Sequence, residues 1–294
     1  MSNQGNQGNQ GNQGNQGNQG NQGNQGNQGN QGNQGNQGNG GATGLGWAFA
    51  DRVDLPFATE PGVSEVRLPV SDFGERNWAA PWNAWRAVAE FASTAWVTKV
   101  PLPPPDLGNT ERDIKAMLIM ANDERPDALG EIFSQSDEFI SYLMVLLNAK
   151  PTSHPATYRL LLIANAIATL VAMYYKGKYN RPRPTQVCPA LLPPIEVPGH
   201  ASYPSGHSTQ AHLFALCLKE VMPASMAKDL GPVLDAMAGR IARNREIAGL
   251  HYPNDSDGGR NLANKIFHWM KSMPKFSPSP IDDAFACAKS ELRS

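Results

Sequence analysis

The longest uncharged apolar run of the chain extends from Leu160 to Tyr175, sixteen residues interrupted only by Asn165 and Thr169. It falls short of the roughly 20 residues that cross a bilayer, and no second candidate span exists. The run therefore predicts a buried core helix over about Ala156 to Lys176 that delivers Lys176 at its C-terminal end. Other segments pair a polar start with an apolar face. Thr110-Glu111-Arg112-Asp113 reads as a capping-box-like start for a helix to about Asn122. Pro126 can open the next helix at its first turn, and Ser136 with Asp137 and Glu138 can start another through Leu147. Further helices fit Ser208 to Val221, Ser225 to Ala248 and Asp257 to Met273. Prolines and a glycine between Arg183 and Tyr203 mark a loop. The pattern predicts an all-α bundle.

Towards the N-terminus the pattern weakens. Pro101 to Pro105 read as a proline-rich linker, and Leu45 to Thr98 is the least regular stretch. Ser64 to Val70 fits a short strand. Trp78, Trp82 and Trp85 have helical spacing that Pro81 interrupts, and they read as core or packing residues. Before them stand twelve Asn-Gln-Gly triplets, Asn3 to Gly38, with nothing apolar to bury. Such a tract cannot offset its ordering entropy and predicts disorder, and without proline its glycine period is no collagen helix. The expected organisation is a disordered tail over 1–44, an arm and linker packed on the core over 45–105, and a helical domain over 106–294.

Composition narrows the function classes. About 250 residues remain beyond the tail, enough for one full core. A formal net charge of −1 gives no basic face for nucleic acid and no polybasic membrane patch. Three cysteines, Cys188, Cys217 and Cys287, are odd in number and widely spread, which suggests reduced thiols. The first residues lack the apolar core of a secretory signal, so cytoplasmic residence is the default. Oligomeric state is not legible.

Three clusters in the second half carry candidate chemistry: Lys176 with Arg183, the run Tyr203-Pro204-Ser205-Gly206-His207, and Arg245 with His251 and Asp255. A phosphoryl group in transfer spreads negative charge over three oxygens, and fixed cations can stabilise that charge. Lys176, Arg183 and Arg245 fit this need, the guanidiniums through paired bonds and the ammonium as a point charge. A helix opening at Ser205-Gly206-His207 would aim unpaired N–H groups at an anion. Gly249 and Pro253 end a helix between Arg245 and His251, which places His251 on a loop. Asp255, four residues on, can fix the tautomer of His251.

In order and spacing, Lys176-x6-Arg183-Pro184, Pro204-Ser205-Gly206-His207 and Arg245-x5-His251-x3-Asp255 resemble the three-part signature of the type 2 phosphatidic acid phosphatase and vanadium haloperoxidase superfamily. The resemblance covers about Tyr158 to Phe267, over a third of the chain. It implies a helical bundle of that superfamily's type and a soluble, metal-independent phosphomonoesterase of acid-phosphatase kind. His251 would form a phosphohistidine, Asp255 would orient it, and His207 would protonate the leaving oxygen. Lys176, Arg183 and Arg245 would bind the phosphate of a small phosphorylated substrate, assisted by Ser205 and Gly206. Many members have Ser where Asn244 stands, so Asn244 and His200 are expected as second-layer residues.

No cofactor is implied for the phosphatase. The alternative is a haloperoxidase with vanadate in the same pocket, which His200 favours by its place before Ser205 and Met173 disfavours. A third reading is a silent phosphate-binding module. Soluble acid phosphatases of this kind are commonly exported to the periplasm. His200, His207 and His212 lack metal-site spacing, and Asp255-Ser256-Asp257-Gly258-Gly259 lacks the closing acid of a calcium loop, where Ile266 stands.

Overall fold

A computed structural model describes Gly74 and residues 78–293. The tail expected to be disordered and the strand expected over Ser64 to Val70 lie outside these residues. Among the described residues the regular elements are all helical. They are α1 (Ala80–Ala92), α2 (Trp96–Lys99), α3 (Thr110–Asp123), α4 (Arg125–Asp137), α5 (Ile140–Val145), α6 (Pro155–Tyr179) and α7 (Pro184–Val187). After a 3-10 turn at Pro189–Leu191 come α8 (Gly206–Val221), α9 (Ala224–Ile247), α10 (Pro253–Ser272) and α11 (Pro280–Glu291).

The apolar run is the axis of the fold. Leu160, Leu161, Ile163, Ala164, Ile167 and Val171 are fully buried, because α1, α8 and α11 pack around α6 on different sides. Its N-terminus opens at Pro155, and the Glu291 carboxylate accepts from the Ala156 and Thr157 N–H groups at 2.9 and 2.8 Å. The last helix thus caps the central one, satisfying donors that a helix start leaves unpaired. At the other end Asn180 takes a left-handed conformation, φ 48°, and its N–H closes the last turn on the Lys176 carbonyl. Lys176 is thereby placed at the site.

Four features differ from the sequence expectation. Pro81 begins α1 rather than interrupting it, since its fixed φ suits a first helical turn. Trp82 and Trp85 are 54% and 61% exposed, so they are not core residues: the buried face of α1 is Asn83, Ala84, Ala87, Glu90 and Phe91. Thr110 makes no capping box; it lies inside α3 and its hydroxyl donates back to the Leu107 carbonyl at 2.8 Å. The segment Pro155–Val187 is long and apolar enough to cross a membrane, and half of its most apolar stretch is buried. α6 continues beyond the apolar run at both ends.

The stretch read as a linker is strapped down by hydroxyls. Tyr175 donates to the Val100 carbonyl at 2.6 Å, Tyr203 to Pro103 at 2.9 Å, and Tyr179 to Leu102. A second, smaller apolar cluster joins Ile114, Met117 and Met120 of α3 to Ile132 of α4 and to Ile247, Leu250 and Tyr252. Leu250 and Tyr252 flank His251 in the chain, so this cluster anchors the loop that carries it.

Candidate active site

The three sequence clusters converge, and main-chain bonds stitch them together. The Ser202 N–H donates to the Arg181 carbonyl at 2.9 Å, and the Ser205 N–H donates to the Asp255 carbonyl at 2.9 Å. Gly259 permits the second approach: a methyl group there would lie 2.7 Å from the Ser205 carbonyl and 2.8 Å from Ser208 Cβ. The glycine pair that resembles a calcium loop in sequence serves close packing, Gly259 against the start of α8 and Gly258 against the Tyr203 ring.

His251 sits on the loop between α9 and α10, 4% exposed. Asp255, in the first turn of α10, lies with Oδ2 at 3.2 Å from His251 Nδ1, and the same oxygen accepts from the Tyr252 N–H at 3.0 Å. A carboxylate only accepts here, so Nδ1 carries the proton and the lone pair is left on Nε2. Arg183 Nη1 stands 3.5 Å from that Nε2. Burial, and then the charges of Lys176 and Arg183, push His251 well below its ordinary range against the pull of Asp255, which keeps the imidazole neutral. A neutral, oriented imidazole beside cations has the chemistry to attack a bound oxyanion.

The cations are buried. Lys176 Nζ donates to the Ala201 and Ser202 carbonyls at 2.8 Å each; burial and then Arg183 lower it to about 7. Arg183 Nε and Nη1 donate to the His200 and Leu250 carbonyls at 2.9 Å each. Arg245, 1% exposed, spends Nη2 on the Ile132 carbonyl at 2.8 Å, while its Nε and Nη1 are buried without a hydrogen-bond partner. Buried donors left unmatched are costly unless a partner arrives. A tetrahedral oxyanion supplies such a partner.

Ser205 caps α8, its hydroxyl oxygen accepting from the Ser208 N–H at 3.3 Å, so its own proton stays free to donate. Gly206 and His207 open the helix with N–H groups that have no intrahelical acceptor. His207 stacks on Phe139 with ring centroids 4.8 Å apart, and its Nε2 donates to the Gln135 carbonyl at 2.9 Å. Only Nδ1 is then available to exchange a proton. Burial, and after it Arg245, lower His207 to about 3.

Asn244 bonds Gln135 Oε1 and Glu131 Oε2 at 2.9 Å each and so braces the turn of α4 that holds His207. His200 lies at the rim, its Nδ1 3.1 Å from Arg183 Nη2. Sequence reasoning missed Arg181, Ser202, Ile132 and Gln135. The last two act through backbone carbonyls near the end of α4, which no side-chain pattern reveals.

No family model matches the chain. A non-specific acid phosphatase of Providencia stuartii is 26% identical over 192 residues, which span 59% of this chain and 73% of that protein. That similarity to an acid phosphatase agrees with the resemblance to the type 2 phosphatidic acid phosphatase superfamily read from the three clusters. Among solved structures, a transmembrane PAP2 type phosphatidylglycerolphosphate phosphatase of Bacillus subtilis aligns with a TM-score of 0.43 at 18% identity, over 66% of this chain and 95% of that one. The residues that resemble that superfamily's signature are the ones the fold gathers here.

Proposed function

We propose that the chain is a phosphomonoester hydrolase that works without a metal ion through a phosphohistidine on His251. The observation that carries the reading is the orientation of His251: Nδ1 is held by Asp255 at 3.2 Å, and Nε2 faces Arg183 beside the unmatched donors of Arg245. Lys176, Arg183 and Arg245 take the nonbridging oxygens of the ester, with the Gly206 and His207 N–H groups at the helix start. The Nε2 lone pair attacks phosphorus and the ester P–O bond breaks. The leaving oxygen takes a proton from Nδ1 of His207.

Water then attacks the phosphohistidine, giving its proton to His207, and the P–N bond breaks to release phosphate and neutral His251. His207 must be charged for the first step, although it is neutral in the resting site. Burial is the first cause of its depressed pKa and Arg245 the second; the negative charge of a bound phosphate dianion opposes both, so substrate itself favours the charged acid.

The test is hydrolysis of an aryl phosphate in chelator, with and without orthovanadate, beside His251→Ala. Turnover that vanadate blocks and the variant loses is expected, and an alkaline quench should trap phosphate on His251. Full activity in His251→Ala would end the reading.

One observation favours a second reading. His200 stands 3.1 Å from Arg183 at the rim, where it can act on a group attached to the bound oxyanion. In a haloperoxidase the same cations and His251 Nε2 would hold vanadate, which supplies peroxide activation without changing oxidation state. Bromide oxidation dependent on both vanadate and peroxide would transfer the site to that chemistry.

A further inference from the structure

Arg181 lies outside the three-part signature. Its guanidinium is nevertheless 3% exposed, with Nη1 2.7 Å from Asp255 Oδ1. The guanidinium carbon stands 3.9 Å from the centre of the Tyr252 ring, which is itself 1% exposed. Ser202, fully buried, donates its hydroxyl to Asp255 Oδ2. One carboxylate oxygen therefore belongs to Arg181, and the other is shared by Ser202, the Tyr252 N–H and His251 Nδ1.

A buried ion pair is weak as a stability device, because desolvation consumes much of its Coulomb gain and apolar replacements often serve as well. It is strong as a geometric device. The terminal torsion of an aspartate is broad, so a carboxylate held from one side can swing. Arg181 holds it from the opposite side, and stacking on Tyr252 fixes the guanidinium plane. Tyr252 follows His251 in the chain, so the clamp and the histidine share one backbone anchor.

We infer that Arg181 is a positioning residue of the site: by fixing Asp255 Oδ1 it aims Oδ2 at His251 Nδ1 and thereby holds the histidine proton on Nδ1 and the lone pair on Nε2. The inference rests on His251 being the nucleophile. In this scheme Arg181 acts through Asp255, which takes its Nη1; its Nη2 is buried without a hydrogen-bond partner.

The test uses the whole chain with 15N-labelled histidine. Wild type should show a hydrogen-bonded Nδ1–H for His251, assigned by its absence in His251→Gln. Arg181→Gln should shift that ring towards a mixture with the Nε2–H tautomer. On an aryl phosphate it should lower kcat by roughly tenfold to a hundredfold with KM changed about twofold or less. In an Asp255→Asn background the same substitution should cost nothing further, since both act through one carboxylate. Arg181→Lys, which keeps the charge without the stacked plane, should give an intermediate tautomer ratio.

A folded Arg181→Gln with the wild-type tautomer, or losses that multiply with Asp255→Asn, would overturn the inference. If Arg181→Gln does not fold, the Arg181→Lys spectrum decides: a mixture supports the clamp and a wild-type spectrum overturns it. The tautomer is read in resting protein, so an inactive wild type with the expected shift would sink the proposed reaction and leave the clamp standing.

Discussion

Nη1 of Arg183 stands 3.5 Å from Nε2 of His251, so a cation of the site faces the free lone pair of that ring. The same nitrogen donates to the Leu250 carbonyl at 2.9 Å, which positions the backbone next to His251. In the proposed reaction Arg183 both binds the anion and sets its distance from the nucleophile. Replacing it with Gln should lower kcat/KM by roughly a hundred- to a thousandfold, with kcat itself reduced. Steady-state kinetics on an aryl phosphate give the division; a change confined to KM would make Arg183 a binding residue only.

His207 is expected to matter in proportion to how badly the leaving group needs a proton. With Nε2 held by Gln135 at 2.9 Å, proton transfer falls to Nδ1. His207→Ala should slow an alkyl phosphate by roughly a hundred- to ten-thousandfold. A nitrophenyl phosphate, whose leaving oxygen is stable unprotonated, should suffer much less. Equal losses on both esters would argue against the acid role.

Lys176 sets a pH limit on anion binding. Burial, then Arg183, lower its pKa to about 7, and the charged form exists below that value. Affinity for orthovanadate should accordingly weaken as pH rises through about 7 in wild type. Lys176→Met should be weak throughout and retain only the pH dependence of the ligand's own ionisation. Inhibition constants measured from pH 6 to pH 9 check this, and parallel curves for the two proteins would contradict it.

Two glycines should separate binding from folding. A methyl group on Gly206 meets nothing within 4 Å, whereas one on Gly259 would lie 2.7 Å from the Ser205 carbonyl. Gly206→Ala should melt at or above the wild-type temperature while losing substrate affinity, because its methyl enters the space beside the helix N–H groups. Gly259→Ala should cost about 1–3 kcal/mol and lower activity as well, since the atom it strikes is backbone. Thermal melts beside kinetics test both.

Glu291 should act on stability alone. Its carboxylate accepts from two N–H groups and one hydroxyl at the start of α6, far along the helix from Lys176. Glu291→Ala should destabilise by about 1.5–3 kcal/mol, the range of hydrogen bonds to a charged group. Calorimetry should show the lower melting temperature with kcat unchanged.

Much of the fold was legible because helical periodicity is local. The predicted helices fall within a few residues of α3, α6, α8, α9 and α10, whereas Ser136 and Asp137, expected to start a helix, end α4, and α5 begins at Ile140. The α1 helix and the exposure of Trp82 and Trp85 were not, since Pro81 carries opposite meanings at a helix start and in a helix interior. α11 was missed although its start is local, with Ser279 accepting from the Asp282 N–H, Pro280 in the first turn and Ile281, Ala284, Phe285 and Ala288 on a buried face; what no local pattern reveals is that its Glu291 caps α6.

Sequence alone singled out the groups that the fold brings together. Lys176, Arg183, His207, Arg245, His251 and Asp255 are recognisable because an oxyanion demands cations, an imidazole demands an orienting carboxylate, and the spacing of each cluster is local. Only the tertiary structure decided how they are held. Arg181 reaches Asp255 across 74 positions, the Gln135 carbonyl reaches His207 across 72, and the Ile132 carbonyl reaches Arg245 across 113. Backbone acceptors have no residue identity, and such contacts exist only once α4, α6, α9 and α10 have packed.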